Sequence, residues 1–341
     1  MANRSQTSAQ IPDMPNQHSF EKRDKTRLVA EITAAENLAM AGRVAEAEEI
    51  LTRIARDPKA GALGSSTALG LPRKLHSAWL RLAKMTEDLV RIHGLRATAV
   101  PPEGLCRDMF KATPAERAAQ VAAAAWPVPR LIHQIWIGGR PPAACGAWEA
   151  FAARHGWAYR LWDETALEEL PIADDPLWRS MLRAGDLPGA VDVARYHVLL
   201  REGGVYLDCD WYPARADIPP QAVIPGHGLA VISEPHARLV AGASLLLSNA
   251  LIAAPGGHPA LKFLLATMPG FADRMPDAPA WWVTGPLAFT LAARRGPVTV
   301  LDAGLVAASL PRGSDLLAAQ ALAARCEAED EAGFLIAWKG W

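Results

Sequence analysis

VDVARYHVLLREGGVYLDCDW, residues 191–211, sets the architecture of this chain. Its first part is typical of a helix over residues 188–202, with a proline in the first turn and Gly203 as the cap that ends it. Val205-Tyr206-Leu207 then predicts a short buried strand that runs into Asp208-Cys209-Asp210. Two carboxylates one residue apart at a strand end suit a hard divalent cation with oxygen ligands, Mg²⁺ or Mn²⁺.

The preceding residues continue the alternation of strand and helix. Residues 131–137 are a short, mostly apolar run that predicts a buried strand, and residues 157–162 predict a second strand after a helix at 147–154. This order predicts a mostly parallel sheet with flanking helices. Ligands of such sheets bind beyond the carboxyl ends of the strands, and Asp208 and Asp210 lie at such an end.

Asp192 and Arg195 add to this pattern because they lie three residues apart on one helix face, close enough to interact. The pair fits a surface salt bridge of about 0–1 kcal/mol as well as it fits a ligand-binding role. Taken alone, Asp208 and Asp210 fit a pair of solvated turn aspartates better than a metal site. The motif therefore needs its context before it indicates a function.

Composition restricts the partners. The 341 residues are 50% hydrophobic and 21% charged, which is ordinary for a globular protein. The net charge of -1 argues against a nucleic-acid-binding function, which usually needs a strongly basic chain. The sequence has no signal-peptide pattern and no apolar run long enough for a transmembrane segment. The four cysteines are scattered without a CxxC pair, which argues against zinc and against a disulfide framework. We therefore expect a cytoplasmic protein.

Residues 191–210 resemble the core signature of glycosyltransferases with a DXD sugar-binding region, roughly SDxxRYxxLxxxGGxYxDxD. That family is similar to glycosyltransferase family 32 and includes initiating mannosyltransferases, capsular polysaccharide enzymes and the glucosyltransferase domains of large clostridial toxins. The chain departs from the signature at the leading serine, which is Val191 here. The matching positions are Asp192, Arg195, Tyr196, Leu199, Gly203, Gly204, Tyr206, Asp208 and Asp210.

The resemblance implies a GT-A fold, which is a Rossmann-like, mostly parallel α/β sheet with flanking helices. It also implies a retaining, metal-dependent transfer of a hexose from a UDP- or GDP-sugar to a glycan, lipid or protein acceptor, as in polysaccharide biosynthesis. Asp210 would bind Mn²⁺ or Mg²⁺, and Asp208 would contact the ribose and the water shell of the metal. Asp192 and Arg195 would hold the donor sugar.

Further segments agree with the resemblance. In VPRLIHQIWIGG (128–139), Trp136 would stack on the donor base, although without the resemblance it would be assigned to the core. Tyr206 and Asn249 are expected among the donor-binding residues, with Asn249 along the donor sugar. Residues 284–286 resemble the TGP turn of the family.

The C-terminal segment departs from the family. Relatives end with a histidine and a Ser-Trp pair that close over the metal and the diphosphate, whereas this chain has Ala337 and Gly340 at the histidine and serine positions. Trp341 would be the closing tryptophan, and Lys339 would supply positive charge to the phosphates. Residues 327–331 contain acidic candidates for a second metal ligand.

The sequence predicts a disordered tail at 1–24, a helical region at 25–100, a linker at 101–126 and the GT-A domain at 127–341. AENLAMAGRVAEAEEILTRIARDP (35–58) resembles one tetratricopeptide repeat. A hairpin of this kind would either brace the catalytic domain or bind a partner protein.

Two other functions remain open from the sequence. A protein that binds nucleotide-sugars without turnover would explain the altered C-terminus. A phosphatase of the haloacid dehalogenase type also uses DxD after a strand, but Tyr212 stands where that fold needs threonine or valine.

Overall fold

The structure is a computed structural model that describes residues 17–234, 239–240 and 244–339. The chain divides into two compact units between Leu95 and Arg96. None of the helices in the described ranges combines the length and the apolar character that crossing a membrane requires.

The first unit is helical. Its helices are α1 (Gln17–Met40), α2 (Val44–Ala55), α3 (Arg73–Met85) and α4 (Leu89–Ala97), the last of which ends just past the division. Gly42, with φ +78°, forms the turn of the predicted hairpin, and the apolar faces of α1, α2 and α3 share one core around Leu28 and Leu51. Residues 17–24 of the predicted disordered tail are helical, and residues 1–16 lie outside the described part. The similarity to a tetratricopeptide repeat stays a prediction.

The second unit contains the sheet. Its helices are α5 (Pro114–Ala123), α6 (Ala143–Arg154), α7 (Glu164–Leu167), α8 (Pro176–Arg183), α9 (Leu187–Glu202), α10 (Pro259–Arg274), α11 (Ala280–Val283), α12 (Pro286–Ala293) and α13 (Leu316–Ala328). Its strands are β1 (Leu131–Ile135), β2 (Ala158–Trp162), β3 (Gly204–Leu207), β4 (Trp211–Pro213), β5 (Ala230–Ser233), β6 (Leu239–Val240), β7 (Ser244–Leu245), β8 (Leu247–Ala254), β9 (Thr299–Leu301), β10 (Val306–Ser309) and β11 (Leu335–Ala337).

The central sheet has six strands in the order β2-β1-β3-β8-β5-β9. The pairs β1/β2, β1/β3 and β5/β9 are parallel, and β8 runs antiparallel to both β3 and β5. The predicted mixed α/β fold with a mainly parallel sheet and flanking helices is confirmed. Because β1, β2 and β3 are parallel, their carboxyl ends meet at one edge of the sheet.

A second, smaller sheet has the order β10-β11-β4. Its strand β11 pairs antiparallel with β4, so that Ala337 lies opposite Trp211 and Leu335 opposite Pro213. This pairing brings the C-terminal segment to the residues that directly follow Asp210.

Residues 101–126, where the sequence predicts a linker, are folded. Helix α5 begins with a capping box between Thr113 and Glu116, which satisfies two backbone N–H groups. Phe110 is buried with its ring edge-on to Phe263 and Phe271 of α10, at centroid distances of 5.9 and 5.2 Å. These contacts tie the segment to the core of the second unit.

Helix α9 begins where the Asp186 side chain accepts a hydrogen bond from the Gly189 N–H at 3.0 Å, and it ends at Gly203 with φ +66° and ψ -165°. Few residues other than glycine adopt that conformation. The middle of the helix is enclosed by the core, with Val193, Ala194 and Val198 completely buried. Asp192 and Arg195 in this part of the helix are therefore surrounded by protein groups.

The junction between α9 and β3 is too tight for a side chain. A Cβ at Gly203 would lie 2.5 Å from the Gly256 nitrogen, and one at Gly204 would lie 2.5 Å from the Leu131 carbonyl oxygen. His133 of β1 donates from Nε2 to the Gly203 carbonyl at 2.8 Å, because its Nδ1 accepts from the Trp162 indole at 3.0 Å. Burial lowers the pKa of His133 to about 4, so the ring is neutral at pH 7.

We expect Gly203→Ala to reduce the free energy of unfolding by about 3–5 kcal/mol, since the methyl group adds a backbone clash to the strain of positive φ. Gly257→Ala is the matched control, because Gly257 has φ +73° but a methyl group there would meet no atom of the described residues within 4 Å. The control should lose only about 1–2 kcal/mol. Urea unfolding curves measure both values, and equal losses in the two variants would contradict the steric argument.

Candidate active site

The carboxyl edge of the sheet collects the predicted site residues. Asp208 follows β3 directly, Trp136 follows β1, and Asn249 lies near the start of the antiparallel strand β8. The Asp208 N–H donates to the Ala250 carbonyl at 2.9 Å, which joins the motif to β8. The Gln134 side chain of β1 donates to the Asp208 carbonyl at 3.2 Å. Two neighbouring strands therefore fix the backbone of the first motif aspartate.

Arg195 lies at the centre of this edge and is only 4% exposed. Its Nη2 lies 3.1 Å from Oδ1 of Asp192 and 3.1 Å from Oδ1 of Asp208. Its Nη1 donates to the Asn249 carbonyl at 2.6 Å. The guanidinium thus joins the helix α9, the first motif aspartate and strand β8. The predicted interaction between Asp192 and Arg195 is a buried ion pair and not a surface one.

Asp192 has protein partners on both carboxylate oxygens. Asn249 donates from Nδ2 to Oδ1 at 2.8 Å, and Thr284 donates from its hydroxyl to Oδ2 at 3.1 Å. Asn249 also donates to the Tyr196 hydroxyl at 2.9 Å, and Tyr196 donates in turn to the Thr284 carbonyl at 2.9 Å. Thr284 and Tyr196 are not among the predicted site residues, although both belong to segments that match the family pattern.

Tyr206 is 1% exposed and lies beneath the edge. Its hydroxyl donates to Oδ1 of Asp208 at 2.8 Å, and the Arg195 guanidinium lies 4.5 Å from its ring centroid. The structure therefore places Tyr206 where it orients Asp208.

The charges of this cluster depend on one another. Burial raises the pKa of Asp208 to about 6, against the opposing effect of Arg195 and with a further contribution from Asp210. Burial also raises the pKa of Asp192, and Arg195 counteracts that shift. For Arg195, burial disfavours the charged form, but Asp208 and the other acidic neighbours outweigh it and raise the pKa. The buried guanidinium of Arg195 thus compensates the charge of both Asp192 and Asp208. A further cation bound beside Asp208 and Asp210 would therefore be stabilising.

Asp210 lies against the C-terminal segment. The Lys339 ammonium is 3.1 Å from Oδ2 of Asp210, and the Trp338 N–H donates to the Asp210 carbonyl at 2.8 Å. Trp338 is buried, and its indole donates to the Ser314 carbonyl at 2.8 Å. The Gly313 N–H donates to the Lys339 carbonyl at 2.7 Å. Backbone contacts on both sides therefore hold a lysine beside the second motif aspartate.

The acidic residues fit a metal only as a two-carboxylate site. Within residues 17–234, 239–240 and 244–339, no group of three or more His, Cys, Asp or Glu side chains is arranged to hold a metal. Tyr206 and Arg195, its side-chain partners among the described residues, both contact Oδ1 of Asp208, and the Asp208 and Asp210 side chains are 28% and 25% exposed. Mg²⁺ is commonly bound by one or two carboxylates together with phosphates and water, which suits such a pair. Of the acidic candidates at 327–331, Asp330 pairs with Arg215 at 2.9 Å instead.

Of the two tryptophans expected to contact the donor, one lies in the described part of the chain. Trp136 is half-buried at the carboxyl edge, and its indole N–H donates to the Gly138 carbonyl at 3.1 Å. Trp341 lies outside the described residues, as does Gly340.

We expect Asp192→Ala to lower the free energy of unfolding by about 3–5 kcal/mol, because it leaves the buried Arg195 with less compensation. Asp174→Ala removes the partner of Arg179 in an exposed ion pair, in which the Asp174 side chain is 94% exposed. This control should change stability by about 0–1 kcal/mol. Chemical denaturation compares the two variants, and a loss below about 1 kcal/mol for Asp192→Ala would contradict the buried network.

Comparison with known proteins agrees with this geometry. Residues 154–224 match the family model of the glycosyltransferase sugar-binding region containing the DXD motif, a segment that includes Asp192, Arg195, Asp208 and Asp210. No curated protein sequence matches the chain.

Three solved structures are similar to parts of the chain. The PaToxG glycosyltransferase covers 56% of this chain and 76% of its own, at 16% identity and a TM-score of 0.37. A glycosyltransferase involved in the glycosylation of the major capsid of PBCV-1 covers 62% and 94%, at 14% identity and a TM-score of 0.32. The UDP-bound glycosyltransferase domain from the YGT toxin covers 79% and 70%, at 12% identity and a TM-score of 0.26. Residues 154–224, which carry the DXD motif and the buried Arg195, are therefore similar to the sugar-binding region of glycosyltransferases.

Proposed function

We propose that the chain transfers a hexose from a UDP- or GDP-sugar to a glycan, lipid or protein acceptor, with retention at the anomeric carbon and with Mn²⁺ or Mg²⁺ as cofactor. One observation carries the proposal: Asp208 and Asp210 are partly exposed side by side at the carboxyl edge, with Arg195 buried against Asp208. This is the edge at which open α/β sheets bind their ligands.

In this proposal Asp210 is the metal ligand, and Asp208 contacts the ribose and the water shell of the metal. The bound cation would stabilise the negative charge that builds on the nucleoside diphosphate as it leaves. Arg195 and Tyr206 hold Asp208 through Oδ1, which leaves its other oxygen for the ligand. Because Asp208 is already held in its orientation, its carboxylate does not have to reorient during the reaction.

The donor sugar would lie over Asp192, Arg195 and Asn249, and the base would stack on Trp136, with Trp341 closing the site. Burial of the first three residues supports a rigid floor for the sugar. The half-buried indole of Trp136 at the same edge supports the stacking role.

We assign no nucleophile to the enzyme. In the proposal the acceptor hydroxyl attacks from the face that the diphosphate leaves, and the departing diphosphate takes up its proton. The anomeric configuration is then retained without a covalent glycosyl-enzyme. Product analysis by NMR of the anomeric proton tests this stereochemistry directly.

The remaining expectations stay proposals of a coarser kind. A role in polysaccharide biosynthesis, which the family resemblance implies, and a cytoplasmic location are proposed as well. The helical first unit would brace the catalytic domain or bind a partner protein. Pull-down experiments with the full chain and with a chain that lacks residues 1–95 would separate these two roles. Loss of a captured partner in a shorter chain that keeps its turnover would favour partner binding over bracing.

We expect Asp210→Asn to reduce metal-dependent release of nucleoside diphosphate by about 100-fold to 1,000-fold, in the range of losses seen when one group that stabilises transition-state charge is removed. The assay compares a panel of UDP- and GDP-sugars with and without Mn²⁺, and Asp174→Asn serves as the surface control. Full metal-dependent turnover in Asp210→Asn would contradict the site. Donor binding by the wild type without turnover on any donor would favour the non-catalytic binding protein.

Lys339 allows a second test of this site. Its ammonium contacts Asp210 at 3.1 Å, so it competes with a cation before the donor binds and can neutralise diphosphate oxygens afterwards. We expect Lys339→Met to bind Mn²⁺ more tightly without nucleotide but UDP or GDP about 10-fold more weakly, while Lys339→Arg keeps nucleotide binding near the wild-type value. Calorimetry measures both affinities, and unchanged nucleotide binding in Lys339→Met would remove Lys339 from the site.

A further inference from the structure

The sulfur of the cysteine within the DXD motif lies in contact with the sulfur of a second cysteine. Sγ of Cys145 lies 3.6 Å from Sγ of Cys209, and both residues are buried, at 3% and 7% exposure. Cys209 is the residue between Asp208 and Asp210, whereas Cys145 lies in the first turn of α6. The scattered spacing of the cysteines in the sequence gives no sign of this contact.

Both thiols are free in this structure. A disulfide has an S–S distance of about 2.03–2.05 Å, so the sulfurs need to approach by about 1.5 Å. Cys209 lies in the turn between β3 and β4, where its thiol donates to the Ile135 carbonyl at 3.2 Å. That weak hydrogen bond is the side-chain contact that Cys209 would give up.

We propose that Cys145 and Cys209 form a site of reversible oxidation that controls the DXD motif. The oxidant is a peroxide of small size. The sulfur of Cys145, which lines a surface pocket with Glu149 and Tyr159, attacks one peroxide oxygen, which gives a sulfenic acid and releases water from hydrogen peroxide. The sulfur of Cys209 then attacks the sulfenic sulfur, the S–O bond breaks, and the S–S bond forms with loss of a second water. Two thiols lose two protons and two electrons, and one peroxide is reduced to two waters.

A reducing dithiol reverses the reaction. Its thiolate attacks the protein disulfide, and its second sulfur resolves the mixed disulfide, so the dithiol leaves as its own disulfide and both cysteines return as thiols. In a reducing compartment the thiol form is therefore the resting state.

The consequence for the site follows from the position of Cys209. Movement of its sulfur toward α6 pulls on the backbone that carries both aspartates. Asp208 is held by Arg195 and Tyr206, whereas Asp210 is held on its side chain by the exposed Lys339. Asp210 therefore gives way first. Displacement of a catalytic group by about 1 Å is enough to cost about 100-fold in rate. This consequence rests on the proposed function, but formation of the disulfide does not.

The other two cysteines provide controls. Cys106 and Cys326 are buried in different parts of the fold, Cys106 in the main core and Cys326 in the cluster beneath β11. Burial raises the pKa of the Cys106 thiol to about 12, which keeps it protonated. Cys106→Ala and Cys326→Ala should leave oxidation of the Cys145–Cys209 pair unchanged.

The test treats the reduced full chain with increasing hydrogen peroxide and follows intact mass and non-reduced peptide maps. We expect a loss of two hydrogen atoms, a linked peptide that contains Cys145 and Cys209, and full reversal by dithiothreitol. Cys145→Ala and Cys145→Ser should form no such link, and the use of two substitutions guards against a folding defect in one of them. Calorimetry should show Mn²⁺ binding at least about 10-fold weaker in the oxidised wild type, with no change in peroxide-treated Cys145→Ala.

Several results would separate the possible failures. Absence of the linked peptide, or oxidation of Cys145 to sulfinic acid alone, would overturn the proposal. A complete disulfide with unchanged Mn²⁺ affinity and unchanged turnover would overturn the control of the DXD motif. A complete and reversible disulfide in a protein that neither binds Mn²⁺ nor turns over any donor would support the oxidation site and refute the proposed function.

Discussion

The buried guanidinium of Arg195 is the interaction on which the rest of this site depends. A charge with 4% exposure is stable in a protein only when carboxylates and carbonyls compensate it, and Asp192, Asp208 and the Asn249 carbonyl do so here. Each of these partners comes from a different element of the second unit. The charge therefore fixes the helix, the DXD turn and strand β8 relative to one another.

Gly203 and Gly204, at the junction of α9 and β3, make this arrangement possible. They let the end of α9 approach strand β1 and the turn at Gly256 more closely than any side chain would allow. The short distance from the last turn of the helix to Asp208 in turn places Arg195 beside the carboxylate that it neutralises. A larger residue at either position would separate the cation from the motif, so the steric and electrostatic requirements reinforce each other.

The second motif aspartate is held differently from the first. Asp208 is fixed by buried groups, while Asp210 is fixed through its carbonyl to Trp338 and through its carboxylate to the exposed Lys339. This difference suits a site in which the Asp208 carboxylate keeps its protein partners, while the Asp210 carboxylate exchanges Lys339 for a ligand when the ligand binds. It also makes Asp210 the more sensitive of the two to movement of Cys209.

Local sequence patterns specified much of this protein. The helix, glycine pair, strand and DXD turn follow from capping, backbone and periodicity rules that act over a few residues, and the mainly parallel sheet follows from the alternation of elements. Tertiary structure alone placed Thr284 on Asp192, Lys339 on Asp210 and Cys145 on Cys209. Those pairs are distant in the chain, and strand register and helix packing, which no local pattern encodes, bring their atoms within reach.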